Sequence, residues 1–374
     1  MGKMHDSASL SRDDWLDVVR RLSTDIGLDL DELARHTKAL TRRRGVPNAG
    51  ALLRLALARG PGGMSLRQTA SWAHLAGVAE LCDASLNDRL HQSCDFLAAI
   101  VTRLLAGRTP GSHPNWPSRV LRVSDGSCVS KPGSKGTDWR VHGVYDLGAG
   151  GFSHLEVTDQ HGGEGLDRGA GVAGEIRFGD RNYSNPNAMR RFTASGESAD
   201  YVVRLRWSSL RLSLPAGEGQ ANEKFDLIQR LRDMPADKSF DDVEVVIEQA
   251  GAPGARARVV ILRKPEGATQ AERARLRSEA SRRGKQLDPR SLIAAEFIIL
   301  ATSLPADEWP AETLFALYRL RWQIELAFKR LKSLLHLDRL PAVTEKGARG
   351  WIYAHLIIAL LADDASQDFL DSSP

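Results

Sequence analysis

A segment near the end of the chain, YRLRWQIELAFKRLK, has the apolar spacing of an amphipathic helix over residues 318–332. At 100° per residue, one narrow stripe beside the apolar face carries an acid between cations. Its members are Tyr318, Arg321, Glu325 and Lys332. Such a stripe is commonly a solvated, self-paired helix face. The alternative is that a metal-binding carboxylate and two phosphate-binding cations share one surface.

Two further carboxylates each follow a short apolar run. Asp125 ends the run RVLRVSD, and Asp180 ends AGEIRFGD. We expect both at the carboxyl ends of strands, where sites collect in α/β sheets, although an Asp there also commonly begins a turn or caps a helix. Together with Glu325 they would provide the oxygen ligands that two Mg²⁺ ions need for in-line displacement at phosphorus.

The helix spacing Tyr-x2-Arg-x3-Glu-x6-Lys resembles the signature of the DDE transposases of bacterial insertion sequences, in the insertion-sequence-four group. DGS at Asp125 and GDRNY at Asp180 resemble the two Asp motifs of that family, in which a small residue more often stands at Asn182. The resemblance covers about residues 60–360. It implies a ribonuclease-H-like fold with a β-rich insertion between the second Asp and the Glu, and cut-and-paste DNA transposition.

The resemblance also assigns roles to residues. It implies that Asp125, Asp180 and Glu325 are catalytic and hold two Mg²⁺ ions, for which Mn²⁺ would substitute. Trp322 stands where related enzymes keep an aromatic side chain near a flipped or stacked base, and packing against the sheet is the open alternative. The candidate DNA contacts around the acids are Tyr318, Arg321, Trp322, Lys329, Lys332 and Arg181.

The predicted secondary structure changes at a Pro/Gly/Ser-rich stretch that we interpret as a linker. Helical periodicity dominates before it, and short strands bounded by Gly or Asp dominate after it. The predicted fold is α/β: a ribonuclease-H-like core interrupted by a β-rich insertion and preceded by an all-helical DNA-binding domain. The predicted parts are the helical domain 1–106, the linker 107–118, the core 119–199 and 295–374, and the insertion 200–294.

Residues 65–93 within the helical domain resemble a helix-turn-helix. Ser65 can cap a first helix, and Gly77 can make the break before a second. Asn87 and Arg89 on that second helix could reach DNA. A plain helical hairpin is the open alternative.

Other charged residues have weaker patterns. Lys131 and Lys135 follow Asp125 and are candidate DNA contacts by position. The Arg-rich helix at 268–285 has interleaved Glu residues, which favour a solvated, self-paired face over a DNA-binding one. Asp146 ends a strand and competes for a metal-ligand place. Glu164 is a further acid without a motif.

Composition allows a nucleic-acid partner without requiring one. The chain has 374 residues, 42% hydrophobic content and a net charge of +4. Its three cysteines form no CxxC pair, and the apolar stretch WIYAHLIIALLA is too short to cross a bilayer. We expect a cytoplasmic protein, nucleoid-associated when bound to double-stranded DNA, that works as a homodimer and has no membrane partner.

Three other functions stay open. A metal-dependent nuclease would cut DNA without joining it. A DNA-binding regulator, or a copy defective in assembly, would bind without cutting; the polar end DDASQDFLDSSP, where the family usually continues with another helical stretch, motivates that alternative. Sugar hydrolysis needs two acids and no cation clamp, and the Arg/Lys stripe argues against it.

Overall fold

The computed structural model describes most of the chain. The described residues are 14–113, 115–134, 136–217, 222–249, 251–335, 337, 340–341 and 344–372. Lys135, a candidate DNA contact, lies outside them.

The first part of the described chain is helical, as predicted. Its helices are α1 (Asp14–Arg20, continued by a π-helical turn, Arg21–Asp25), α2 (Leu30–His36), α3 (Ala49–Arg59), α4 (Leu66–Leu75), α5 (Asp83–Gln92) and α6 (Cys94–Ala106). Ser65 begins α4 with a capping box, in which its hydroxyl accepts a hydrogen bond from the Gln68 amide and the Gln68 side chain accepts one from the Ser65 amide. Gly77 makes the break with φ +64°, a conformation that costs glycine little. The predicted cap and turn are therefore confirmed.

The rest of the chain alternates strands with helices. The strands are β1 (Val120–Val129), β2 (Trp139–Asp146), β3 (Gly151–Asp159), β4 (Glu175–Gly179), β5 (Asp200–Arg204), β6 (Leu212–Leu214), β7 (Glu223–Lys224), β8 (Phe240–Gln249), β9 (Ala252–Arg263) and β10 (Phe297–Thr302). The helices are α7 (Pro186–Thr193), α8 (Leu227–Asp233), α9 (Glu266–Arg282), α10 (Pro289–Ala294), α11 (Ala311–Arg319), α12 (Trp322–Leu335) and α13 (Glu345–Ser372).

All of these strands join one mixed sheet in the order β3-β2-β1-β4-β5-β10-β9-β8-β6-β7. The pairs β1–β4 and β4–β5 are parallel, and the other pairs are antiparallel. The strands expected at 200–294 are present. They extend the central sheet, because β5 pairs with β4, and β9 pairs with β10. The fold is thus mixed α/β.

A hydrophobic core covers each face of the sheet. The first core holds Val123, Phe178 and Phe328 together with the N-terminal helices and α13. The second core holds Val203, Phe297 and side chains of α7 and α8. Because strand side chains alternate between faces, the central strands β5, β9 and β10 contribute buried residues to both cores.

Arg108 of the predicted linker contacts both β3 and α13. Arg108 donates hydrogen bonds to the carbonyl oxygens of Phe152 and Leu360, both at 2.8 Å, and pairs with Asp364. Helix α13 also packs against α3, α5, α6 and β3. The N-terminal helices and the C-terminal helix therefore share one core. None of the helices in the described part of the chain combines the length and the hydropathy that a bilayer crossing requires.

Candidate active site

Asp125 lies in the middle of a strand, so the prediction that its strand ends there is wrong. Strand β1 continues to Val129 because β2 pairs with it up to Val129↔Trp139. The parallel neighbour β4 is shorter, and its pairing with β1 ends at Val123↔Phe178. Asp125 therefore stands just beyond the point where β1 loses its neighbour on one side.

Asp180 directly follows β4, as predicted. Continuing the β1–β4 register by two residues places Asp180 opposite Asp125. Neighbouring strands lie about 4.8 Å apart, so the two carboxylates come from adjacent backbone positions on one face. Asp180 also caps the 3₁₀ turn Arg181–Tyr183, since its side chain accepts a hydrogen bond of 2.7 Å from the Asn182 amide.

The electrostatics of this pair disfavour two bare negative charges. Burial raises the pKa of Asp125 to about 6, and the negative charges of Asp180 and Glu164 act in the same direction. The Gly126 amide, which donates a hydrogen bond of 2.8 Å, and the Arg321 guanidinium oppose that rise. A partly buried carboxylate beside another carboxylate is stabilised by a nearby cation.

The prediction of one continuous helix over 318–332 is wrong. Helix α11 ends at Arg319 and α12 begins at Trp322, joined by a tight turn with i→i+3 hydrogen bonds, including Arg321 N to the Tyr318 carbonyl at 3.2 Å. The two helices pack against different strands, α11 against β8 and β9, and α12 against β1.

Side-chain contacts keep Tyr318, Arg321 and Glu325 together across this break. The Arg321 guanidinium lies 5.8 Å from the centre of the Tyr318 ring and pairs with Glu325. The Tyr318 hydroxyl donates a hydrogen bond of 3.3 Å to the carbonyl oxygen of Gly179, the residue before Asp180. The turn thus stays beside the acids.

Helix α12 approaches β1 closely because β2 has a glycine opposite Asp125. Gly143 is the register partner of Asp125. A Cβ at this glycine would lie 2.8 Å from the Phe152 ring and 2.9 Å from the Phe328 ring of α12. A larger residue at position 143 would therefore push α12 away from the acids.

Asp125 and Glu325 face one open cavity of about 460 Å³. Phe328 contributes to its wall, and Lys329 and Lys332 line it as well. The cavity thus combines two acids with two cations from α12.

The carboxylates do not yet form a metal cage. Within the described residues, no group of three or more His, Cys, Asp or Glu side chains is arranged to hold a metal ion. Glu325 is ion-paired with Arg321 and is 52% exposed. The donors themselves fit a hard divalent cation, since they are carboxylate oxygens, and Asp125 is a carboxylate whose charge the fold disfavours.

The other residues proposed near the acids are placed as follows. Trp322 is 52% exposed, which argues against its full burial against the sheet. Arg181 lies 3.8 Å from Glu272 of α9. Lys131 lies 3.8 Å from Asp138.

Two N-terminal candidates are engaged inside the protein. The Arg89 guanidinium donates to the carbonyl oxygens of Arg42 and Arg44, at 2.8 and 3.1 Å. Asn87 lines a cavity between α5 and the start of α13. Arg89 therefore fixes the exposed loop that carries Arg42, Arg43 and Arg44. The run of three arginines in the sequence was the signal for this basic loop.

The two further acids, Asp146 and Glu164, differ in whether they lie near Asp125. Asp146 is buried, is ion-paired with Arg122 at 3.1 Å and accepts hydrogen bonds from the Gly148 and Ala149 amides, so it has a structural role away from Asp125. Glu164, noted in the sequence as an acid without a motif, lies near Asp125 and is the acid of this site that no motif identified. Its Oε1 would lie 2.9 Å from a Cβ at Gly126, directly after Asp125, and only the fold brings it there.

Comparison with known proteins identifies the family of the chain. A family model described as "Transposase DDE domain" matches residues 118–361. The InsL protein of insertion sequence element IS186A from Escherichia coli K12, named as a transposase, is 40% identical over 368 residues, which cover 97% of each chain. The transposase for insertion sequence element IS421 from Escherichia coli is 40% identical over 369 residues, with the same coverage. The chain belongs to the DDE transposase family.

As a member of this family, the protein is an insertion-sequence enzyme that cleaves DNA and transfers the cut strands. DDE transposase domains generally use divalent metal ions. Among solved structures, the piggyBac transposase synaptic complex with hairpin DNA has a TM-score of 0.45 and 9% identity, over 95% of this chain and 76% of that one.

Proposed function

We propose that this transposase belongs to the insertion-sequence-four group and moves its element by cutting and pasting, with Asp125, Asp180 and Glu325 as catalytic residues of a ribonuclease-H-like core. The β1–β4 register carries the proposal, because it sets Asp125 beside Asp180. The cavity shared by Asp125 and Glu325 adds the third acid.

The three acids would hold two Mg²⁺ ions, with Mn²⁺ as a substitute. Such ions activate an attacking oxygen and stabilise a leaving oxygen at phosphorus. Glu325 would exchange its ion pair with Arg321 for this role, which frees the guanidinium to bind phosphate.

The side chains around the acids would position DNA. Tyr318, Arg321 and Lys332 hold phosphates of the element end, and Trp322 offers an exposed ring for stacking. Further phosphate contacts come from Lys329, Arg181, Lys131 and Lys135.

Sequence recognition is assigned to the helical domain. The α4–α5 hairpin would act as the helix-turn-helix, with Asn87 and Arg89 on its second helix. Because Arg89 also holds the loop Arg42–Arg44, we assign the backbone contacts of this domain to that loop.

The reaction would repeat one phosphoryl transfer. Water attacks the phosphodiester at the element end, which leaves a 5′-phosphate on one side and releases a 3′-OH on the other. That 3′-OH then attacks a phosphodiester of the opposite strand or the target, forming a new phosphodiester while the attacked P–O3′ bond breaks and its 3′ oxygen leaves as a hydroxyl. The protein contributes positioning and charge stabilisation rather than a covalent nucleophile. We further propose a homodimer on DNA, in the cytoplasm and associated with the nucleoid.

An excision-and-joining assay tests this function. Purified protein is mixed with Mg²⁺ and a plasmid that carries the gene's own flanks, and Glu325→Gln is compared with Glu345→Gln. Glu345 forms an i,i+4 pair with Arg349 on α13, so its change matches the chemistry away from the site. We expect cut and joined products from wild type and Glu345→Gln only. Equal cutting by Glu325→Gln would refute the Glu325 assignment, and cutting without joining by wild type would favour a nuclease.

A further inference from the structure

A second basic surface lies on the other side of the acids. A cavity of about 460 Å³ separates the ends of β5 and β10 from α9, and two glutamates of α9 share its wall with five arginines. We call this surface the arginine cleft. Its arginines are Arg181, Arg204, Arg206, Arg275 and Arg283.

The cleft holds more positive charge than its own partners neutralise. Among the described residues, none accepts a hydrogen bond from the Arg204 guanidinium or forms an ion pair with it, although this side chain is partly buried. Burial and the neighbouring Arg181 lower the pKa of Arg204. Within the described ranges, Arg206 donates only to the neutral side chain of Asn182, at 2.9 Å. An anion in the cleft would relieve this repulsion.

The glutamates hold part of the cleft wall in place. Glu279 lies 2.8 Å from Arg283 and 3.4 Å from Arg275. Glu272 lies 2.8 Å from Arg275 and 3.8 Å from Arg181. These contacts pre-organise guanidinium groups, whose fork geometry matches phosphate oxygens.

The cleft begins next to the catalytic acids. Arg181 directly follows Asp180, and Asn182 joins the two sites, since its amide donates to Asp180 and its side chain accepts from Arg206. This bond gives a physical reason for Asn182, where the family more often has a small residue. The cleft floor includes Phe297 of the second core.

The cations of α12 lie over the opposite face of the sheet. Phe328 of α12 belongs to the first core, which also includes the N-terminal helices. DNA that crosses the acids therefore has one basic surface on each side of the reacting phosphate. The α12 side is continuous with the helical domain that we assign to the element end.

Resting on the function proposed above, we propose that the arginine cleft binds the sugar-phosphate backbone of target DNA. Guanidinium–phosphate contacts fix position without reading bases, which suits a partner met at many sequences. The element end, by contrast, needs recognition by sequence and has the helical domain on its own side.

The test compares two double variants of equal charge. Arg204→Gln with Arg206→Gln removes two cleft cations that form no ion pair with any residue in the described part of the chain. Arg277→Gln with Arg282→Gln removes two exposed arginines of α9 that do not line the cleft. Binding of a labelled duplex of unrelated sequence is measured by fluorescence anisotropy over a range of salt. Cutting of element ends and joining to a second plasmid are measured separately.

We expect the cleft variant to bind the unrelated duplex at least about tenfold more weakly, with a log K against log[salt] slope smaller by about two. Its ratio of joined to cut products should fall at least about tenfold on the same grounds. The outer-face variant should keep the wild-type salt slope and product ratio. Arg206→Gln alone, at an exposed position, replaces the double variant if circular dichroism shows that the double variant is unfolded.

Three results would overturn the proposal. Wild-type binding and joining by the cleft variant would show that the cleft is not used. Equal losses in both double variants would show an effect of net charge alone. An equal loss of cutting and joining would assign the cleft to flanking donor DNA. A wild-type protein that binds DNA but neither cuts nor joins it would instead refute the proposed function.

Discussion

Helix α9 and the segment that leads into α12 carry the same local pattern, an Arg and a Glu four residues apart, in opposite surroundings. On α9, Arg275 pairs with Glu279 at 3.4 Å, and its side chain is 54% exposed. Arg321 pairs with Glu325 just where α12 begins, but its side chain is only 20% exposed, lies against Tyr318 and faces the negative charge of Asp125. The difference shows that burial and neighbouring side chains, rather than the spacing of the charges, distinguish a candidate site from a solvated helix face.

Removing the partly buried acid beneath α12 should have the largest effect. We expect Asp125→Asn to lower cutting at least about a thousandfold, the scale on which groups that stabilise a reacting centre act. An unchanged cutting rate in the plasmid assay would place the chemistry elsewhere and would make α12 equivalent to α9.

The same variant makes a prediction about stability and pH. The folded pKa of Asp125, about 6, lies above its ordinary 3.8. The charged carboxylate therefore lowers the free energy of unfolding of the wild-type protein above pH 6, and this loss disappears as the pH falls toward 4. Without divalent metal, Asp125→Asn should therefore be more stable at pH 8 by about 1 to 3 kcal/mol, a gain that vanishes near pH 4. Urea unfolding measures it. Mg²⁺ should stabilise wild type and not the variant; equal stabilisation would argue against a metal site here.

A smaller change would move α12 without altering its charges. Gly143→Ala places a Cβ within 3 Å of the Phe152 and Phe328 rings. We expect a loss of about 1 to 3 kcal/mol in unfolding free energy, together with slower cutting, because overpacking displaces α12 from Asp125. The matched control is Gly136→Ala, where an added Cβ meets nothing within 4 Å. Normal cutting by Gly143→Ala would show that the position of α12 is not critical.

The smallest effect is expected on α9. Glu279→Gln breaks the pairs with Arg275 and Arg283, whose side chains are 54% and 66% exposed. Solvent screens such pairs, so the unfolding free energy should change by less than about 0.5 kcal/mol. A loss above about 1 kcal/mol in urea unfolding would mean that α9 depends on its ion pairs far more than exposed pairs usually allow.

Local prediction worked where local physics decides the outcome. The α4 cap at Ser65, the turn at Gly77 and the strand before Asp180 depend on neighbouring residues, and the structure has all three. Prediction was wrong for the end of the strand at Asp125 and for the helix over 318–332. Pairing with β2 extends the strand, and packing on different strands splits the helix.

By itself, the sequence determined the apolar runs that become strands, the residue types of the three acids and the cations that follow Glu325 along α12. Those features depend on composition and short-range spacing. Tertiary structure alone decided that Asp125 and Asp180 become neighbours, that Glu164 joins them and that arginines from β5, the turn after β4 and α9 form one cleft. Strand register and sheet packing set those distances, and both are long-range interactions that no local pattern specifies.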